Sequence, residues 1–176
     1  MLVLRAAAGQ VSRLAWGAAF VALAIGAALG GAHHGFALQM LWTPTVLMIG
    51  IVSAGMLAGS AFATARGLAR RAVLLLALLE LAAFTLWMLR HDAYGWVIAD
   101  SAGALLVVAL LHAARWREPP SRWIIGGAAV SAAAAAVQAV RIAPHPAFNH
   151  NDLYHLIQIG ALVLFYQGAR IMVDRR

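Results

Sequence analysis

Long runs with few or no charged side chains recur six times along the chain, separated by short polar segments that hold most of the arginines. A hydrocarbon core about 30 Å thick is crossed by about 20 residues of helix, so runs of this length predict six membrane-spanning helices. Their expected bounds are 14–34, 38–63, 72–90, 94–113, 122–141 and 150–170. Away from the span ends, acids break only two runs, with Glu80 in the third and Asp100 in the fourth. The connections leave no room for a second soluble domain, and backbone polar groups in lipid must be satisfied internally. The expected fold is therefore all-α: a polytopic membrane helical bundle forming a single transmembrane domain over residues 1–176.

Arginine placement orients the spans. Arg5 and Arg13 precede the first; Arg66, Arg70 and Arg71 separate the second and third; Arg115, Arg117 and Arg122 separate the fourth and fifth; Arg170, Arg175 and Arg176 follow the sixth. Only Arg90 and Arg141 fall on the other side. By the positive-inside rule both termini are expected to be cytoplasmic, with which an even number of spans agrees, and the chain is expected to be a multi-pass protein of a bacterial inner membrane. The first thirty residues also resemble a secretory signal, but their apolar run exceeds the usual length, which predicts retention as the first span.

Composition then narrows the chemistry. The chain is 64% hydrophobic and 11% charged, with a mean hydropathy of +0.83, against about 45–50% and about 25% in soluble domains. A water-soluble globule is excluded, and membrane lipids are the expected surroundings. All 13 basic residues are Arg, so no lysine Schiff base can form. The 0 Cys exclude disulfides, thiolate metal sites and cysteine nucleophiles. The net charge of +7 is accounted for by topology, and nucleic acid is not an expected partner. Small-residue pairs such as Gly26/Gly30 and Gly55/Gly59 permit close helix approach but fix no specific dimer, which leaves an oligomer or a larger complex open.

Six of the seven histidines lie on the outer side. His33 and His34 end the first span, His91 and Asp92 occupy the second outer turn, and His145, His150, Asp152 and His155 surround the third. Asp100 and His155 each lie about 22 Å of helix from the inner arginine that follows, so they are expected level with one another. A carboxylate within the bilayer costs at least about 2.5 kcal/mol unless it is paired or faces a cavity, and His155 is the expected partner of Asp100. His34 lies near the same level. Neutral imidazole and carboxylate suit tetrahedral zinc with one open position for water. The expected ligands are His34, Asp100 and one of His150 or His155, with Asp152 or Asp92 as catalytic base or supporting group. His33 remains an alternative to His34. The same residues have plainer roles: Asn149 and Asp152 fit a helix capping box, and the loop histidines fit solvated positions.

Glu80 stands apart, near the bilayer midplane, on a helical stripe with Trp87 and His91. No second acid is expected at its depth, so a continuous transmembrane relay is not predicted. Trp42-Thr43-Pro44-Thr45 reads as a proline-bearing first turn with Trp42 in the interfacial belt.

The stretch Phe148-Asn149-His150-Asn151-Asp152-Leu153-Tyr154-His155-Leu156-Ile157-Gln158 resembles the last-helix signature of the CREST superfamily of membrane metal-dependent hydrolases, which includes alkaline ceramidases and progestin/adiponectin-type receptors. Leu153-Tyr154-His155-Leu156 matches its second half, while Asn151 stands where that signature has its first histidine. Gly30 stands where the family has a serine ahead of an early-helix histidine, here His34, and six spans replace seven. The chain also looks like bacterial six-helix proteins of unassigned activity that end in the same Asn-His-Asn-Asp-Leu-Tyr-His pattern. The CREST resemblance implies a zinc-dependent hydrolase of a lipid-like amide or ester, supported best at His155 and next at His34. Two alternatives accompany it: a non-enzymatic membrane scaffold or complex subunit, and a single b-type haem held by His34 and His155.

Overall fold

A computed structural model describes residues 9–145 and 147–175. Among them are six α-helices and no β-strand. They are α1 (Val11–Phe36), α2 (Trp42–Thr64), α3 (Gly67–Met88), α4 (Tyr94–Ala113), α5 (Pro119–Ala139) and α6 (His150–Ala169), with a 3-10 turn at Gln39–Leu41 ahead of α2. Each of the six expected runs coincides with one helix. Arg5 and Arg176, two of the orienting arginines, lie outside the described residues.

Four helices, α1 to α4, are long and apolar enough to cross a membrane; for α2 this includes the 3-10 turn, over Gln39–Thr64. The remaining two have 21 and 20 residues. They match the others in length, but α5 begins with Pro, Pro, Ser and Arg and is dominated by Ala, while α6 carries His, Asn, Asp and Gln, whose transfer into hydrocarbon is less favourable than that of Leu, Ile and Val.

The chain divides into two compact units, one comprising residues 1–111 with 172–176 and the other residues 112–171. In the first unit α1 and α2 form a close antiparallel pair. A Cβ on Gly55 would lie 3.0 Å from the Ala15 carbonyl oxygen, and one on Gly59 would lie 2.9 Å from the Ser12 carbonyl oxygen and strike the buried Trp16 ring. The small residues of α2 thus bring it against α1 within one chain, a close backbone approach that larger side chains would prevent. On the other side of α2, the Phe84 ring of α3 fills the space above Gly50. Val46, Phe84, Met88 and Val97 form a buried cluster with Trp42, Leu47 and Ile49 packed on it, joining α2, α3 and α4 near the α3–α4 turn.

The first unit is closed by the end of the chain. Asp174 accepts the backbone N–H groups of Val11 and Ser12, and its own N–H donates to Gln10 Oε1 at 2.6 Å. Arg13 donates to the Met172 carbonyl at 2.6 Å. The Arg175 N–H donates to the Phe62 carbonyl at 3.0 Å, and Arg70 donates to the carbonyls of Ala65 and Arg175.

In the second unit α5 and α6 pair through the same device. The Phe165 ring lies over Gly127 and the Ile124 side chain over Gly168. Ser131 donates to Gln158 Oε1 at 3.0 Å, and Gln158 Nε2 donates to the Tyr154 hydroxyl at 3.3 Å, so these three side chains satisfy one another across and along the interface. His112 and Ser121, both buried, are joined from Nδ1 to Oγ at 3.0 Å across the α4–α5 connection.

Candidate functional site: a carboxyl pair within the first unit

Asp100 does find polar partners, and they are Ser53 and Glu80. The Ser53 hydroxyl, itself buried, donates to Asp100 Oδ2 at 2.8 Å. The Glu80 carboxyl lies against that of Asp100, within hydrogen-bonding reach. Both Glu80 oxygens are buried, and among the described residues neither meets an N–H or hydroxyl donor. Two ionised carboxylates in such contact repel; with one proton between them the same contact is a hydrogen bond.

The expectation that no second acid reaches the depth of Glu80 is therefore corrected. Depth counted from distant inner arginines separated the two acids. The five-residue turn 89–93 joins α3 to α4 directly, and counting from it brings them together. Glu80 lies about 12 Å before the end of α3 and Asp100 about 9 Å past the start of α4, a difference that the longer glutamate side chain spans.

The pair is roofed by apolar and aromatic side chains. Val97, Phe84 and Val46 each lie between the pair's residues and the turn end of their own helix. Further toward that end the Trp42 and Tyr94 rings are 6.0 Å apart, and Trp87 meets Trp96 edge-on at 5.1 Å. Trp42 does lie in the first turn of α2, with Pro44 beside it, as its sequence context predicts.

The residues expected to hold zinc fall in both units, each with its own surroundings within its unit. His34 is exposed at the end of α1, edge-on to His33 at 4.8 Å. His33 Nδ1 is 3.0 Å from the Leu38 carbonyl, which makes it part of the α1–α2 turn. His155 is exposed on α6, its ring against Tyr154 at 5.0 Å. His150 is the first residue of that helix. Asp152 completes the capping box: its Oδ2 accepts the Asn149 N–H at 2.9 Å while Asn149 Oδ1 accepts the N–H groups of Asn151 and Asp152. Asp92 is exposed in the α3–α4 turn, next to His91, whose ring stacks on Trp87 at 3.9 Å. His145 Nδ1 accepts the Ala147 N–H at 3.1 Å. Among the described residues no three His, Asp or Glu side chains gather into a group that could hold a metal ion.

Sequence reasoning did not single out Ser53, Asp174 or the His112–Ser121 pair. The signal for Ser53 was available in principle: a hydroxyl midway along an apolar run, which a carboxyl on a neighbouring helix can use. Asp174 carries no such signal, since its partners are 162 and 163 residues away.

Over residues 1–174 the chain matches a family described as a family of unknown function, DUF6962. It belongs to that family. No curated protein and no solved structure matches it. The match covers both units of this DUF6962 protein, so the carboxyl pair and the carboxylate that caps α1 both fall within the family's span.

Proposed function

We propose that this DUF6962 protein is a multi-pass protein of a bacterial inner membrane, with six helices across the bilayer and both termini cytoplasmic. Its working centre is the Glu80–Asp100 pair, which takes up and releases a proton inside the hydrocarbon layer. The observation that carries this reading is the burial of both Glu80 oxygens, without a donor, against the carboxyl of Asp100. An ionisable side chain in a membrane span is costly and is retained mainly where it pairs or moves charge. Here the contact is favourable only with a proton in it, and Ser53 holds Asp100 in place to share that proton.

The zinc-hydrolase reading and the haem alternative gain no supporting contact among the described residues. Several outer polar groups support a structural role: Asp152 in a capping box, His33 in a turn, His145 in a loop and His91 on an indole.

Labelling with a hydrophobic carbodiimide tests the proton-holding site, because the reagent partitions into lipid and reacts with a carboxyl group that carries its proton. In native membranes the adduct is expected on peptides containing Glu80 or Asp100, and its loss is expected in a Glu80→Gln/Asp100→Asn variant. Unlabelled wild-type protein would exclude a proton held at the pair. Membrane insertion is read separately, from retention of the chain in carbonate-washed membranes.

A further inference from the structure

The connection between α4 and α5 presents two cations on one exposed ring. Trp116 is 57% exposed. The Arg117 guanidinium carbon lies 5.7 Å from its ring centroid and that of Arg122 lies 5.9 Å from the same ring. Arg122 is held there by a second contact, Nε donating to the Trp116 carbonyl at 3.2 Å. Among the described residues neither guanidinium is in an ion pair with a carboxylate. Glu118, in the same connection, is half-buried and has contacts of its own. Beneath the connection the buried His112–Ser121 bond ties the end of α4 to the start of α5, so the ring and both cations are carried on a fixed turn.

We propose that Trp116, Arg117 and Arg122 form a binding site for the phosphate of an anionic phospholipid headgroup. Two guanidiniums held at one exposed indole concentrate positive charge there, and the planar fork of each matches a phosphate with two N–H···O bonds. An exposed tryptophan next to arginines that follow an apolar span is the arrangement found at headgroup level, where the ring is amphipathic and the surface potential is negative. Trp123, 43% exposed near the start of α5, adds a second ring of the same kind. The site rests on the membrane reading above and goes beyond it by naming a lipid class and the residues that select it.

The test is native mass spectrometry of the delipidated full-length protein in detergent, titrated with dioleoyl phosphatidylglycerol or dioleoyl phosphatidylcholine. The wild type is expected to bind the anionic lipid more tightly. Each arginine replaced in Arg117→Gln and Arg122→Gln is expected to cost about five-fold in that affinity and less for the zwitterionic lipid, whose choline cation the two arginines already repel. Arg117→Lys/Arg122→Lys keeps the charge without the fork and is expected to fall between, while Arg90→Gln leaves the preference intact. Excess inorganic phosphate is expected not to displace the lipid. Equal binding of the two lipids, a double Gln variant that binds like the wild type, or displacement by inorganic phosphate would each overturn the site. A matching thermal unfolding midpoint shows that the variants tested are folded, and carbonate-washed membranes report on insertion independently.

Discussion

The carboxylate of Asp174 caps the first helix at Ser12, accepting its backbone N–H at 2.9 Å, and also accepts that of Val11 at 2.6 Å. No side chain adjacent in sequence does this work: Gln10, at the N-cap position, makes no capping bond. The first N–H groups of a helix have no partner within it, so a carboxylate 162 residues away supplies what Gln10 does not. Asp174→Ala is expected to cost about 0.5–2 kcal/mol, the usual range for a lost cap, with a drop of about 2–4 °C in unfolding midpoint per kcal/mol. Asp174→Asn, which keeps an acceptor oxygen, is expected to lose less. Thermal unfolding in detergent measures both, and a wild-type midpoint for the alanine variant would show that the cap contributes nothing.

Gly59 gives a sharper steric prediction. Its α-carbon faces the Trp16 ring and the Ser12 carbonyl, with no space for a side chain. Gly59→Leu must separate α1 from α2, and overpacking of this kind costs about 1–3 kcal/mol or more. Gly31→Leu, where nothing lies within 4 Å of an added Cβ, is expected to be close to neutral. Size-exclusion profiles of the two variants after mild heating should differ in the fraction that remains dispersed. Equal profiles would mean that α1 and α2 do not depend on this approach.

The helices were legible because lipid imposes a length and a polarity on any segment that crosses it, and six runs met the length requirement. Four meet the stricter test of apolarity, and the Ala- and Gln-containing α5 and α6 do not. The capping box at Asn149 and Asp152 was legible because its partners are three residues apart and need no tertiary information. The need of Asp100 for a partner is legible from its place in an apolar run, and within its own unit Ser53 and Glu80 meet that need. Periodicity gives a residue's depth only relative to a chosen reference, and the inner arginines are a poorer reference than the short turn shared by α3 and α4. Packing partners across helices, such as Ser53 for Asp100 or Trp16 for Gly59, depend on which faces meet, and a single sequence does not encode that as a local pattern.

The Ser53 hydroxyl allows the carboxyl pair to be dissected energetically. Ser53→Ala removes the donor to Asp100 in a buried setting, where an unsatisfied polar group costs about 1–3 kcal/mol. Glu80→Gln supplies an amide N–H to the same Asp100 carboxyl and is expected to recover part of that loss. The double variant should therefore be more stable than the sum of the two single changes, a coupling of at least about 0.5 kcal/mol as seen for groups in one network. Unfolding midpoints of the four proteins complete the cycle, and strict additivity would mean that Ser53, Asp100 and Glu80 do not act as one unit.

Asp152 separates a structural from a catalytic reading at the start of α6. Its carboxylate accepts the Asn149 N–H and so fixes the first turn of that helix. Asp152→Ala and Asn149→Ala remove opposite halves of the same box and are expected to destabilise by similar amounts, each about 0.5–2 kcal/mol. Asp152→Asn keeps an acceptor oxygen for the Asn149 N–H and is expected to lie closer to the wild type. A catalytic base would show the reverse order of tolerance, since the amide cannot take up a proton and Asn149 would be dispensable. Elemental analysis on the same purified variants adds a second readout. If Asp152 acts only through the box, any metal content found in the wild type stays unchanged in Asp152→Ala, whereas loss of a stoichiometric zinc in that variant alone would return this residue to the chemistry of a metal site.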